Sequence, residues 1–243
     1  MMIKKTDNIY AAQTDKQMFS FDGQVAEVFP DMIQRSVPGY SEILKNTAKF
    51  AQRFVTNDSH CYDLGCSLGA SSLAMSSGIT ATNVKIIGID NSEAMLARCH
   101  HHIDAYKHQT KIELHVGDIL QFPIENASMV VLNFTLQFIA QQQREALLKK
   151  IYQGMNVGGI LLLSEKVCFA NSDDNELMID LHHQFKRENG YSELEISQKR
   201  SLLEKVLVPE SLDEHFFRLS KLGFSRVNCW FQQYNFVSIF AIK

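Results

Sequence analysis

Apolar and polar positions along the chain alternate between short continuous apolar runs and stretches of helical period. Short apolar runs recur at Tyr62–Leu64, Val84–Ile89, Ile112–Val116, Met129–Leu132 and Ile160–Leu163, as expected of strands buried on both faces of a parallel sheet. Between them the period lengthens to that of a helix. Ser71–Met75, Glu93–Tyr106 and Gln142–Met155 are predicted as crossover helices. Met95, Cys99, Ile103 and Tyr106 share one face of the second, and Leu147, Leu148, Ile151, Tyr152 and Met155 one face of the third. Ahead of the first strand, Ile43, Leu44, Ala48, Ala51 and Phe54 form a helical face over Ser41–Val55. Strands alternating with helices predict an α/β fold built on a mostly parallel sheet.

After Ser164 the alternation lapses. Asn156-Val157-Gly158-Gly159 stops the preceding helix, and Asn171–Leu207 is expected to be a predominantly helical insertion, with Ser192-Glu193-Leu194-Glu195 as a capping box. Ser211-Leu212-Asp213-Glu214 caps a further helix that ends at Leu222-Gly223-Phe224. Arg226–Tyr234 and Phe236–Ile242 then form a terminal hairpin. The expectation is one domain over residues 1–243, with an N-terminal helical cover at 1–54 and a helical insertion at 167–208. A chain of 243 residues with 45% hydrophobic and 21% charged residues can bury the core this requires.

Charge narrows the function classes. A formal net charge of -3 and a sequence pI near 6.3 give no global drive toward nucleic acid or an anionic membrane. No apolar run is long enough to cross a bilayer, and Met1-Met2-Ile3-Lys4-Lys5-Thr6-Asp7-Asn8 lacks the apolar segment of a secretion signal. A cytoplasmic location is expected. The five cysteines form no closely spaced pair and read as reduced, packed thiols. His100-His101-His102 are adjacent on a helix and project in different directions, which fits a solvated face better than a metal site. Lys149-Lys150 and Lys199-Arg200 are read as exposed helix faces.

Candidate chemistry collects at the ends of the predicted strands. Asp63-Leu64-Gly65-Cys66-Ser67-Leu68-Gly69 is a glycine-bearing turn after the first strand. Its backbone can turn sharply and offer the amides of the next helix to a polar ligand. Asp90 closes the second strand, close to the spacing of roughly 20 residues at which a carboxylate reaches ribose hydroxyls. Serine occupies the middle glycine position of a dinucleotide fingerprint, where a side chain crowds a pyrophosphate. S-adenosyl-L-methionine has no pyrophosphate and suits this loop better. Asp118 ends the third strand, where it can accept from an adenine amino group, and Asn133 ends the fourth. No neighbouring base is evident to activate Cys66.

These ordered strand-end residues and the final hairpin resemble class I S-adenosylmethionine-dependent methyltransferases, a resemblance that implies a mostly parallel seven-stranded sheet with a C-terminal antiparallel hairpin. A narrower resemblance rests on Val37-Pro38-Gly39-Tyr40, on Asp63 to Gly69, and above all on Asn189-Gly190-Tyr191-Ser192-Glu193-Leu194-Glu195-Ile196-Ser197-Gln198-Lys199-Arg200. These segments are similar to the carboxy-S-adenosyl-L-methionine synthase family, over nearly the whole chain. The resemblance implies a transferase that carboxylates the methyl group of S-adenosyl-L-methionine using prephenate and releases phenylpyruvate. A separate enzyme then uses the product, carboxy-S-adenosyl-L-methionine, to modify tRNA wobble uridine, so direct tRNA binding is not expected. It also implies that Tyr40, Gly65, Cys66, Ser67, Asp90, Asn91, Asp118, Ile119 and Asn133 contact the cofactor. Arg200 binds the added carboxylate in this reading, either within its own subunit or across the interface of a homodimer. No protein nucleophile is implied, because hydroxide released from prephenate can take the methyl proton. Ordinary methyl transfer to a small molecule or RNA, and a catalytically inactive cofactor-binding regulator, are the alternatives.

Overall fold

The computed structural model describes residues 5–13, 18–106 and 110–243. Two helices, α1 (Gly23–Ser36) and α2 (Tyr40–Phe54), precede the sheet. Then follow β1 (His60–Leu64), α3 (Ala70–Gly78), β2 (Lys85–Asp90), α4 (Glu93–Ala105), β3 (Lys111–Val116) and β4 (Ala127–Asn133). A 3-10 turn at Leu136–Phe138 leads to α5 (Gln141–Gly154) and the long β5 (Met155–Cys168). The remainder is α6 (Ser172–Glu188), α7 (Glu193–Leu203), β6 (Glu210–Ser211), α8 (Leu212–Lys221), β7 (Arg226–Gln233) and β8 (Phe236–Ile242).

The strand order is β3-β2-β1-β4-β5-β8-β7. The first five strands are parallel, β8 runs antiparallel to β5, and β7 and β8 form the expected hairpin. Seven strands thus match the sequence expectation, and an eighth adds to it: β6 pairs parallel with the far end of β5. Two residues carry no periodicity, which is why β6 escapes a pattern reading. The insertion begins later than expected, because β5 continues through Val167 and Cys168 before α6 starts. Among the described residues, no helix is long and apolar enough to cross a membrane.

Period-two alternation sorts the strand side chains onto two cores. Ile160 and Leu162 of β5 face the layer that holds Ala51 of α2 and Met75 of α3. Leu161 and Leu163 face Leu147, Leu148 and Ile151 of α5 and Leu219 of α8. Helix α4 buries Met95, Cys99 and Ile103 as predicted, but Tyr106 is exposed. The helix ends at Ala105 and Tyr106 takes an extended backbone, so it leaves the helical face. A third cluster joins the N-terminal cover to the rest: Tyr10, Phe19, Val25, Val28 and Met32 pack with Leu68, Met95 and Leu202 of α7.

Buried charge fastens the insertion's return to the sheet. Arg144 of α5 is fully buried and pairs with Glu210 of β6 at 2.7 Å. Its guanidinium also donates to the carbonyls of Ile139, Gln137 and Val208, and Glu210 binds Arg218 of α8 as well. Removing Arg144 leaves Glu210 with Arg218 alone and strips three carbonyls of their donor, losses that together cost on the order of 3–5 kcal/mol. Arg144→Met is therefore expected to lose roughly that much stability in urea denaturation. A loss near zero would show that the pair does not hold β6 in place.

Candidate active site

At the carboxyl edge of the sheet, β1 runs between β2 and β4, and the loops leaving it diverge. This is the crevice in which open α/β sheets bind ligands. Gly65 (φ 79°) and Gly69 (φ 80°) take left-handed backbone conformations. A Cβ at Gly65 would stand 2.5 Å from Thr135 Cγ2, so both the turn and the close approach of the two loops require glycine there. The amides of Gly65 and Cys66 donate to the Ile89 carbonyl at 2.8 and 3.0 Å. That pins the loop to the end of β2.

Asp90 completes the clamp. Its Oδ2 accepts the Ser67 amide and its Oδ1 the Ser92 amide, each at 2.9 Å. Each oxygen retains a second lone pair that can accept from a ligand hydroxyl. Burial raises the Asp90 carboxyl above its ordinary value, against the backbone bonds that favour its charged form. Asp118 lies exposed past β3, its Oδ1 accepting the Leu120 amide at 2.8 Å, and buried Ile119 lies beside it. Lys150 of α5 holds this loop by donating to the carbonyls of Ile119, Leu120 and Phe122 at 2.7–2.9 Å. The expectation that Lys150 sits on an exposed face is thus corrected: three carbonyls, not water, solvate it.

Asn133 donates to Ser71 Oγ at 3.1 Å, while its Oδ1 is buried with no hydrogen-bond partner among the described residues. An orphaned acceptor on the cleft wall fits the ammonium group of S-adenosyl-L-methionine's methionine end. Tyr40 opens α2 after Gly39, where a Cβ would collide with the Phe231 ring. Burial raises its hydroxyl's pKa, so the phenol stays protonated. Asn91 stands exposed at the rim. Cys66 is buried, and its hydrogen bond with Cys99 and its burial raise its pKa, which fits a packed thiol. His100 and His101 are exposed and His102 half-buried.

All ten sequence-predicted residues, including Arg200 of α7, line one cleft of about 1700 Å³. That exceeds the roughly 300–1,000 Å³ typical of a single small-ligand pocket, and leaves room for a second substrate. Arg200 is half exposed and ion-paired with Glu204 one helical turn on. Its neighbour Lys199 corrects a second expectation. It is buried, 3.5 Å from Asp7 and 3.0 Å from Ser36 Oγ. Burial lowers its pKa to about 8.

Sequence reasoning assigned no role to Thr135, Lys166 or Lys186, which line the cleft, or to Asp63, buried in β1. Asp63 had a signal, since an acid inside an otherwise apolar strand breaks the pattern. It is 1% exposed and accepts from Ser72 Oγ at 2.7 Å. Lys166 and Lys186 had none, because they come from β5 and α6 and share no motif.

Residues 62–159 match the model of the methyltransferase domain family. A Methanococcus maripaludis structure described as an S-adenosyl-L-methionine-dependent methyltransferase has a similar fold: TM-score 0.62 at 19% identity, covering 95% of this chain and 97% of that one. Fold and cleft define a class I S-adenosylmethionine-dependent methyltransferase domain. A Colwellia psychrerythraea carboxy-S-adenosyl-L-methionine synthase is 57% identical over 98% of both chains. The Photorhabdus laumondii enzyme of the same name is 58% identical over 92% of this chain and 88% of its own. The chain belongs to the carboxy-S-adenosyl-L-methionine synthase family.

Burial raises the Asp63 carboxyl from 3.8 to about 6. The folded chain therefore holds a proton that the unfolded chain releases, and this contribution is complete below about pH 4 and lost as pH rises through about 6. Relative to wild type, Asp63→Asn should gain on the order of 3 kcal/mol across that window. Parallel denaturant titrations at both ends of the window read the difference, and a constant offset would count against a buried, titrating Asp63.

Proposed function

We propose that this chain converts S-adenosyl-L-methionine and prephenate to carboxy-S-adenosyl-L-methionine and phenylpyruvate. The observation that carries this reading is the near full-length identity of 57–58% to synthases of that name, together with one cleft lined by every residue the family resemblance implicates. The atoms balance without a protein nucleophile. Prephenate loses carbon dioxide and hydroxide as its ring becomes aromatic. The methyl carbon forms its new bond to that carbon dioxide, and hydroxide leaves as water with the methyl proton.

The chain's own part is binding and orientation. In this reading the Gly65–Ser67 loop and Asp90 with Asn91 hold the ribose and methionine parts of the substrate, and Asp118 with Ile119 frames the adenine. Tyr40 closes on the cofactor from α2, and Asn133 accepts from the ammonium of the methionine end. Arg200 meets the new carboxylate, exchanging its exposed bond to Glu204 for a bidentate one. An exposed pair at this helical spacing is worth only about 0.3–0.5 kcal/mol, so the exchange costs little. A cytoplasmic homodimer that passes its product to a separate tRNA-modifying enzyme belongs to the same proposal, on the strength of the family resemblance.

Purified protein incubated with S-adenosyl-L-methionine and prephenate should yield the carboxylated nucleoside and phenylpyruvate in equal amounts by mass spectrometry. Cofactor-loaded protein that makes neither would falsify the reading. Arg200→Ala should release carboxy-S-adenosyl-L-methionine much faster, with S-adenosyl-L-methionine affinity little changed, since only the product carries the added carboxylate. Equal losses for both ligands would remove Arg200 from this role.

A further inference from the structure

The two ends of the cleft differ in charge. Carboxylates and amides gather where the sheet edge receives a nucleoside. Beneath α6 and α7 the wall is cationic: Lys166 arrives from β5, Lys186 from α6, and Lys199 and Arg200 from α7. Two of these four are neutralised, Lys199 by Asp7 and Arg200 by Glu204. Lys166 and Lys186 have neither an ion pair nor a hydrogen-bond acceptor for the ammonium among the described residues. Lys186 is only 6% exposed.

An ammonium buried without a partner is costly, and the cost rises when a second cation faces it. Burial, then Lys199, Lys166 and Arg200, lower the Lys186 pKa to about 7. Burial and Arg200 lower that of Lys166. The nearby histidines add no countercharge. The His182 ring lies 2.8 Å from the Ser36 carbonyl, and burial with Lys186 and Lys166 keeps it neutral. His183 is shifted the same way. Glu204, the acid that faces Lys166, is already bonded to Arg200. Two uncompensated cations on one cavity wall leave a place for an anion of about two charges, in a cleft too large for the nucleoside alone.

We propose that Lys166 and Lys186 form the subsite for the dicarboxylate co-substrate, supplying the positive charge that binds prephenate beside the sulfonium. This rests on the reaction proposed above, and it separates two carboxylate roles: the lysines receive the incoming dianion and Arg200 the carboxylate of the product. A neutral co-substrate would find no partner here.

Steady-state kinetics of Lys166→Gln and Lys186→Gln should show KM for prephenate raised about tenfold or more, with S-adenosyl-L-methionine binding undiminished. Lys186→Arg, which keeps the charge, should recover most of the loss. An unchanged prephenate KM in both glutamine variants, alongside an active wild type, would overturn the subsite and leave the reaction standing. A wild type that makes no carboxylated product would instead remove the reaction. A second measurement needs no variant. With S-adenosylhomocysteine in place to prevent turnover, prephenate binding at about pH 8 should take up protons, read by calorimetry in buffers of different ionisation enthalpy. Binding without proton uptake would contradict a dianion seated on Lys186.

Discussion

A single carboxylate sets the geometry on which the site depends. Asp90 accepts one amide from the loop after β1 and another from the start of α4, so the ends of two adjacent strands and the loops leaving them are fixed by one buried anion. The constraint propagates outward through Ser92. Its hydroxyl accepts the Met95 amide as the N-cap of α4 and donates to the Phe21 carbonyl at 2.6 Å. One side chain thereby joins the cleft edge, the helix behind it and the N-terminal cover. Hydrogen bonds to an ionised acceptor are roughly twice as strong as neutral ones, which suits a joint where three elements meet.

The opposite wall is organised by a second buried polar group. Asp7 accepts from the Tyr191 hydroxyl and faces Lys199, and its amide donates to Asp31 at 2.7 Å. Arg35 stacks 3.9 Å over the Tyr191 ring while donating to the carbonyls of Asp7 and Asn189. Apolar packing alone could seat α7 against the cover in several registers. A set of buried donors and acceptors that must all be matched permits far fewer. That register also decides which α7 side chains reach the cleft.

Much of this was legible from the sequence. The strands were visible as short continuous apolar runs and the crossover helices by their period of about 3.6, and the strand-end residues Gly65, Asp90, Asp118 and Asn133 do meet on one cleft. The failures share a cause. Lys150 and Lys199 looked like solvated surface charge because composition cannot show that three carbonyls or an aspartate wait for the nitrogen. Lys166 and Lys186 lie on separate elements, so no local pattern pairs them. Helix α1 was covered only by the broad N-terminal helical cover at 1–54, without bounds of its own.

Glu165 and Lys166 show what strand register means for this cleft. Glu165 points into the core, where its two oxygens accept the amides of Leu136 and Gln137, and burial raises its pKa to about 8. Lys166, the next residue, faces the cavity. Adjacent residues of a strand project to opposite faces, so β5 works as a sorter of sign, sending acid inward and base outward. A slip of one position would exchange them, placing a carboxylate on the cationic wall and an ammonium among apolar side chains. The residues between Ala127/Met155 and Met129/Ile160 already absorb one irregularity in pairing. From Ile160 to Ser164 the pairing with β4 is regular, so an inserted residue between Ile160 and Lys166 would undo that sorting of sign.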